Sequence, residues 1–146
     1  MPESSIRVLL ADDHSIVRKG LRSTLENETG IQVVGEAANG RETVRLCAQL
    51  KPSIAVIDIG MPQLNGIDAA AQVGKVSPST RVIILSMHTD ETYILRALTA
   101  GAKGYLLKDT AEDDLLPAAS EYGRWEERHI ATGGPCGGST TRHFYL

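Results

Sequence analysis

Cysteine is scarce in this chain of 146 residues: only Cys47 and Cys136 occur, and no CxxC pair is formed. That argues against a disulfide framework and makes a reducing cytoplasm the expected compartment. No apolar run approaches the ~20 residues needed to cross a bilayer. The opening Met1-Pro2-Glu3-Ser4-Ser5 lacks the basic-then-apolar layout of a signal peptide, so no membrane partner is expected. Charge of one sign is lacking too. Fifteen Lys and Arg against 18 Asp and Glu leave a formal charge of −3, which argues against charge-driven adhesion to nucleic acid or anionic lipid. Aromatics are few, and four of the six (Tyr122, Trp125, Phe144, Tyr145) fall in the last 25 positions.

What is present suits one soluble domain with a real core: 42% of the residues are hydrophobic and 23% charged. Five short apolar runs recur, Ile6–Ala11, Ile31–Ala37, Ser53–Ile57, Arg81–Ser86 and Gly104–Leu107. Val8-Leu9-Leu10 and Val82-Ile83-Ile84-Leu85 do not alternate, as expected of strands covered on both sides. Helical spacing fills the gaps. Ile16, Val17, Leu21 and Leu25 fall on one expected face, and Val44, Leu46 and Leu50 come close to another. Asn39-Gly40 opens the second helix, Lys51-Pro52 closes it, and Ser77-Pro78 closes the third. Alternating strand and helix imply right-handed crossovers and a parallel sheet. Five strands suit a flavodoxin-like three-layer α/β/α sandwich with strand order 2-1-3-4-5.

In such sheets ligands gather at the carboxyl ends of the strands. Here the first strand ends in Asp12-Asp13, the third in Asp58 and the fourth in Ser86, while the fifth leads to Lys108. Each has a plain reading alone. Asp13 or Ser15 would cap a helix, Asp58 would form a turn before Met61-Pro62, Ser86 would satisfy a strand end, and Lys108 would be a solvated charge. Together they point elsewhere. Three clustered carboxylates repel one another unless a cation relieves them, and an all-oxygen site favours Mg²⁺. Lys108 is then free for a second anion. A phosphoryl group on a carboxylate fits, because its spread charge wants a metal, a cation and a hydroxyl donor.

Asp12-Asp13, Asp58 with Met61-Pro62 and Gly66, Ser86, Tyr105 and Lys108 resemble the signature of response-regulator receiver domains, the CheY-like family. The resemblance runs over roughly residues 6–120. Arg7 to His14 and Ala100 to Tyr105 resemble more particularly the NarL/FixJ (LuxR-type) class, whose members usually carry a helix-turn-helix DNA-binding domain after the receiver.

The resemblance implies a phosphoacceptor signalling domain in a two-component system, not an enzyme in the ordinary sense. Asp58 would take the phosphoryl group from a sensor histidine kinase. Asp13 and Asp58 would hold Mg²⁺ directly, Asp12 through water, and the Gly60 backbone carbonyl would add a ligand. Lys108 would meet a phosphoryl oxygen. Ser86 would turn its hydroxyl onto another, and Tyr105 would follow inward, unless its phenol stays outward for a partner. The response would be altered dimerisation or docking, in the service of transcriptional regulation. Three rival readings are a degenerate receiver used only for docking, an aspartyl-phosphate phosphohydrolase, and a flavodoxin-like cofactor binder. The complete acidic set opposes the first. Gly60, where a haloacid-dehalogenase pattern wants a second carboxylate, opposes the second. Asp12-Asp13, where a Ser/Thr/Gly-rich phosphate loop would stand, opposes the third.

The resemblance weakens towards the end. Asp109 follows Lys108 where many receivers have proline. Asp109 to Ala119 still reads as the start of a fifth helix, with Thr110 as its N-cap and Pro117 bending it. Thereafter Gly133-Gly134-Pro135-Cys136-Gly137-Gly138 fits neither helix nor central strand. The expected division is a receiver over 1–120 and an irregular tail over 121–146, either disordered, appended or out of frame. The chain is accordingly expected to lack the helix-turn-helix and not to bind DNA by itself. His129, Cys136 and His143 are too dispersed to argue for zinc.

Overall fold

Strands that are apolar on both faces need cover on both faces, and the computed structural model supplies it. It describes residues 5–87, 91–108, 115 and 117. Strands β1 (Ile6–Ala11), β2 (Ile31–Ala37), β3 (Ile54–Asp58), β4 (Arg81–Ser86) and β5 (Gly104–Leu107) alternate with helices α1 (Ser15–Glu26), α2 (Gly40–Leu50), α3 (Gly66–Val76) and α4 (Glu91–Thr99). All strand pairs are parallel, in the order β2-β1-β3-β4-β5. This is the flavodoxin-like order expected from the sequence.

Because successive strand side chains point to opposite faces, two cores result. Val8, Leu10, Ile54, Val56, Ile83, Leu85 and Leu106 meet Leu21 and Leu25 of α1 on one face, joined by Leu115. Leu9, Ala11, Ala55, Ile57, Val82, Ile84 and Tyr105 meet residues of α2, α3 and α4 on the other. Of the segment expected as a fifth helix, Leu115 and Pro117 are described, both helical. The remainder, including Asp109 and Thr110, lies outside the described residues, as does the tail over 121–146.

Two local expectations are corrected and a third is refined. The third strand begins at Ile54, one residue late, because Pro52 has no N–H and Ser53 joins the sheet edge through Arg7 and Arg81. Ile16 is 83% exposed; at 100° per residue it stands opposite Leu25, whereas Val17 and Leu21 share the buried side. In α2 the buried residues are Gly40, Thr43 and Cys47, with Val44, Leu46 and Leu50 flanking them.

The punctuation holds. The Asn39 side chain caps α2 by accepting the Glu42 N–H at 2.8 Å, and Glu42 reaches back to the Ala38 N–H. Lys51 ends α2 in the left-handed region with φ 49°. Ser77 ends α3.

Candidate functional site

The parallel sheet delivers five of the expected residues to one edge. Asp12 and Asp13 follow β1, Asp58 is the last residue of β3, Ser86 the last of β4, and Lys108 follows β5. Burial separates the acids: Asp12 and Asp58 are 1% and 3% exposed, whereas Asp13 is open to solvent. One ligand oxygen from each of Asp12, Asp13 and Asp58, with a His14 ring nitrogen, lie within 4.8 Å of one another. Lys108 Nζ stands between the two buried acids, 3.2 Å from Asp12 Oδ2 and 3.2 Å from Asp58 Oδ1. The ammonium expected to await a second anion is thus already engaged by the carboxylates.

One cation against two buried carboxylates leaves a charge imbalance, felt at Asp58 and Lys108. Burial pushes the Asp58 carboxyl above its ordinary value, and the Asp12 charge adds to this, outweighing the opposing pull of Lys108. Burial works against the Lys108 ammonium as well, yet Asp58 and Asp12 together hold its pKa above the ordinary value. Among the described residues, the buried Asp12 Oδ2 has no well-aligned hydrogen-bond donor, and Lys108 Nζ at 3.2 Å is its one ionic contact. An under-satisfied oxygen in a cluster short of positive charge is what a hard cation would complete.

The loop that follows Asp58 is held by close approach rather than by side chains. A Cβ on Gly66 would lie 2.3 Å from the Asp58 carbonyl oxygen, and one on Gly40 would lie 1.9 Å from the Leu64 carbonyl oxygen. The Gly66 N–H donates to the Ile59 carbonyl at 3.0 Å, and the Gly60 N–H reaches Asp58 Oδ1 at 3.4 Å. Between them Leu64 N–H donates to the Pro62 carbonyl across Gln63, whose φ is 70°. That is a γ-turn with a non-glycine residue in the left-handed region, a costly conformation sustained by its surroundings. Gly60 is exposed, with open space where a Cβ would stand.

At the start of α1 the plain capping reading of Asp13 or Ser15 does not apply. Neither Asp13 nor Ser15 serves; His14 is the N-cap residue, without a side-chain cap hydrogen bond. Asp12 Oδ1 instead accepts the His14 N–H at 2.8 Å, and the His14 ring Nδ1 lies 3.1 Å from both Asp12 Oδ1 and Asp13 Oδ1. The first turn of α1 therefore serves the acid pair. Sequence reasoning also passed over Arg18, which donates to the Asp12 backbone carbonyl and to Glu36. Its spacing from Asp12 offered a signal, since four residues into a helix is one turn from the loop.

Ser86 is fully buried. Tyr105 is 1% exposed and belongs to the core formed with α3 and α4. The ring that was expected to move inward, or to stay out for a partner, is inward here.

A doubly wound parallel sheet with acids, a hydroxyl and a lysine on its carboxyl edge defines a receiver-type site, and residues 8–120 match the response regulator receiver domain family. The chain belongs to that family. It is 39% identical over 118 residues to the transcriptional regulatory protein YhcZ of Bacillus subtilis, covering 81% of this chain and 55% of that protein. It is 36% identical over 122 residues to the response regulator VraR of Staphylococcus aureus, covering 84% and 58%. The chain thus spans little more than half the length of these relatives. Among solved structures, the receiver domain of NarL from Mycobacterium tuberculosis superposes with a TM-score of 0.79 at 32% identity, covering 82% of this chain and 97% of that one. The sequence is therefore close to NarL/LuxR-type regulators. Among the described residues, no helix is long and apolar enough to cross a membrane.

Proposed function

We propose that this chain accepts a phosphoryl group on Asp58 from a sensor histidine kinase, in a Mg²⁺-dependent reaction, and that the product state alters its self-association or docking. The observation that carries the reading is the pair of buried acids, Asp12 and Asp58, held 3.2 Å from one Lys108 ammonium beside exposed Asp13. The oxygens of Asp12, Asp13 and Asp58 with the Gly60 carbonyl form the proposed metal-holding set. The under-satisfied Asp12 Oδ2 supports the fit. When bound, Mg²⁺ supplies positive charge to carboxylate and phosphoryl oxygens.

The chain's own residues do the rest. An Asp58 oxygen attacks phosphorus and forms an acyl phosphate, while the bond to the donor breaks and the donor leaves with its electron pair. Lys108 exchanges a carboxylate contact for a phosphoryl oxygen. Ser86, at the end of the adjacent strand, donates its hydroxyl to another. Tyr105 is already seated in the core, so the proposed switch locks an inward ring in place. Support for an output role comes from the relatives, which are transcriptional regulatory proteins. With its net charge of −3, this chain is proposed to act through protein contacts and not to bind duplex DNA by itself.

Incubation with acetyl phosphate and Mg²⁺, read by intact mass, should add one acid-stable, base-labile phosphoryl group. Equal labelling of Asp58→Asn would show that the acceptor is another residue.

A further inference from the structure

Asp12 carries the site on a short loop, and its peptide is held from three directions. The Asp12 N–H donates to the Ala37 carbonyl at 3.0 Å. Its side chain accepts the His14 N–H. Its own carbonyl accepts Arg18 Nη1 at 2.5 Å. The same Arg18 guanidinium donates through Nε to Glu36 Oε1 at 2.9 Å, and Arg22 pairs with the other Glu36 oxygen. Arg18 therefore ties three elements at one point: α1, which carries it, β2, which carries Glu36, and the β1–α1 loop.

Its side chain is only 18% exposed, and its rigid planar fork fixes the directions of two acceptors at once, where an ammonium on a flexible stem does not. A carbonyl oxygen fixed at residue 12 fixes the peptide plane between Asp12 and Asp13. The directions in which both carboxylates leave the backbone follow from that plane.

We infer that Arg18 is a positioning residue for the acid pair, setting cation affinity at the site through the Asp12 carbonyl without touching the cation. The inference rests on the proposed Mg²⁺ site. Groups that orient metal ligands from behind typically change metal affinity by about 10–100-fold when removed. Arg22 is the internal control, because it shares Glu36 but makes no contact with the Asp12 carbonyl in the described hydrogen bonds.

Mg²⁺ titrations of the full chain by calorimetry, paired with ¹⁵N NMR of the metal-free protein, test this. Arg18→Met should bind Mg²⁺ at least 10-fold more weakly and shift the Asp13 amide nitrogen, which shares the peptide with the Asp12 carbonyl. Arg22→Met should do neither. Arg18→Lys, which keeps the charge and offers a second folded variant, should fall between. At saturating Mg²⁺ the labelling rate of Arg18→Met with acetyl phosphate should return close to the parent's, because affinity and not chemistry is lost. If the parent binds Mg²⁺ and a folded Arg18→Met or Arg18→Lys variant binds it equally well, the inference fails alone. If the parent itself does not bind Mg²⁺, the site reading fails and takes the inference with it.

Discussion

Replacing Gly66 with alanine tests whether the end of β3 is positioned by close backbone approach. The added Cβ would stand 2.3 Å from the Asp58 carbonyl oxygen and 2.7 Å from the Ile59 Cα. Both are backbone atoms, so no rotamer change relieves the clash, and strand end or helix must retreat. Ordinary contact begins near 3.4 Å, so the retreat is about 1 Å, a displacement able to cost ~100-fold in a positioned reaction. Overpacking of this kind costs about 1–3 kcal/mol. At 1–3 kcal/mol per molar for the urea slope, the midpoint should fall by roughly 1 M with the slope unchanged. Gly74, in the same helix, is the counter-test. Nothing lies within 4 Å of its added Cβ, so Gly74→Ala should stabilise by about 0.5–1 kcal/mol through helix propensity alone. Urea unfolding and the rate of labelling by acetyl phosphate would be measured for both. If Gly66→Ala unfolds with the parent's midpoint and is labelled at the parent's rate, Asp58 is not held by this approach and the reasoning is wrong.

Other outcomes follow from single contacts. Hydrogen bonds from Arg22, then Arg18, hold the Glu36 carboxyl below its ordinary value. A lowered folded value means stability that is complete above the unfolded value of about 4.3 and lost as pH falls through the folded one. Solvent screens the more exposed Arg22, so Glu36→Gln should cost about 1 kcal/mol at neutral pH. The gap to the parent should close in acid; a gap that widens there in urea titrations would refute the linkage. Burial pushes the Cys47 thiol up to about 12, so in a Cys136→Ser background Ellman's reagent should react at neutral pH only after unfolding. Prompt reaction of the native protein would contradict that burial. Ser86→Ala should still accept phosphate but lose the phosphate-dependent NMR shifts around Tyr105. Normal shifts in that variant would dissociate the two residues.

The sheet was legible because doubly covered strands advertise themselves as apolar runs, and because Asn39-Gly40, Lys51-Pro52 and Ser77-Pro78 carry their own backbone chemistry. The site was legible for a related reason. In a parallel sheet the residue ending each strand is also the residue at the ligand edge, so finding strand ends finds Asp12, Asp58, Ser86 and Lys108 together. The α1 cap was not legible, since Asp13 and Ser15 both have capping side chains. The choice of His14 depends on Asp12 folding its carboxylate back onto the His14 N–H. Thr43 and Cys47 were missed as the centre of α2 because hydropathy drew attention to the larger Val44, Leu46 and Leu50 at its margins.

What composition could not convey is direction. Five strand-end residues imply a charge total, but only geometry shows that Lys108 divides itself between Asp12 and Asp58. Burial first, and the Asp12 charge after it, pushes the Asp58 carboxyl above its ordinary value despite the shared ammonium. In the proposed reaction a cation held by Asp12, Asp13 and Asp58 would act against that shift and favour the charged carboxylate. Tyr105 carries the same lesson. Alternation assigns its side chain to one face of β5, but both faces are apolar, so the period cannot tell an inward ring from an outward one. The surroundings bear on it: Ile84, Ile94, Ala97 and Ala102 belong to the same buried cluster as Tyr105, and alanines in such a cluster take less room than larger apolar residues would. Enlarging Ala97 to leucine should therefore contest that room and expel the ring, raising the solvent exposure of Tyr105 as read by its fluorescence quenching. A ring that stayed buried beside Leu at that position would show that the alanines are not what admits it.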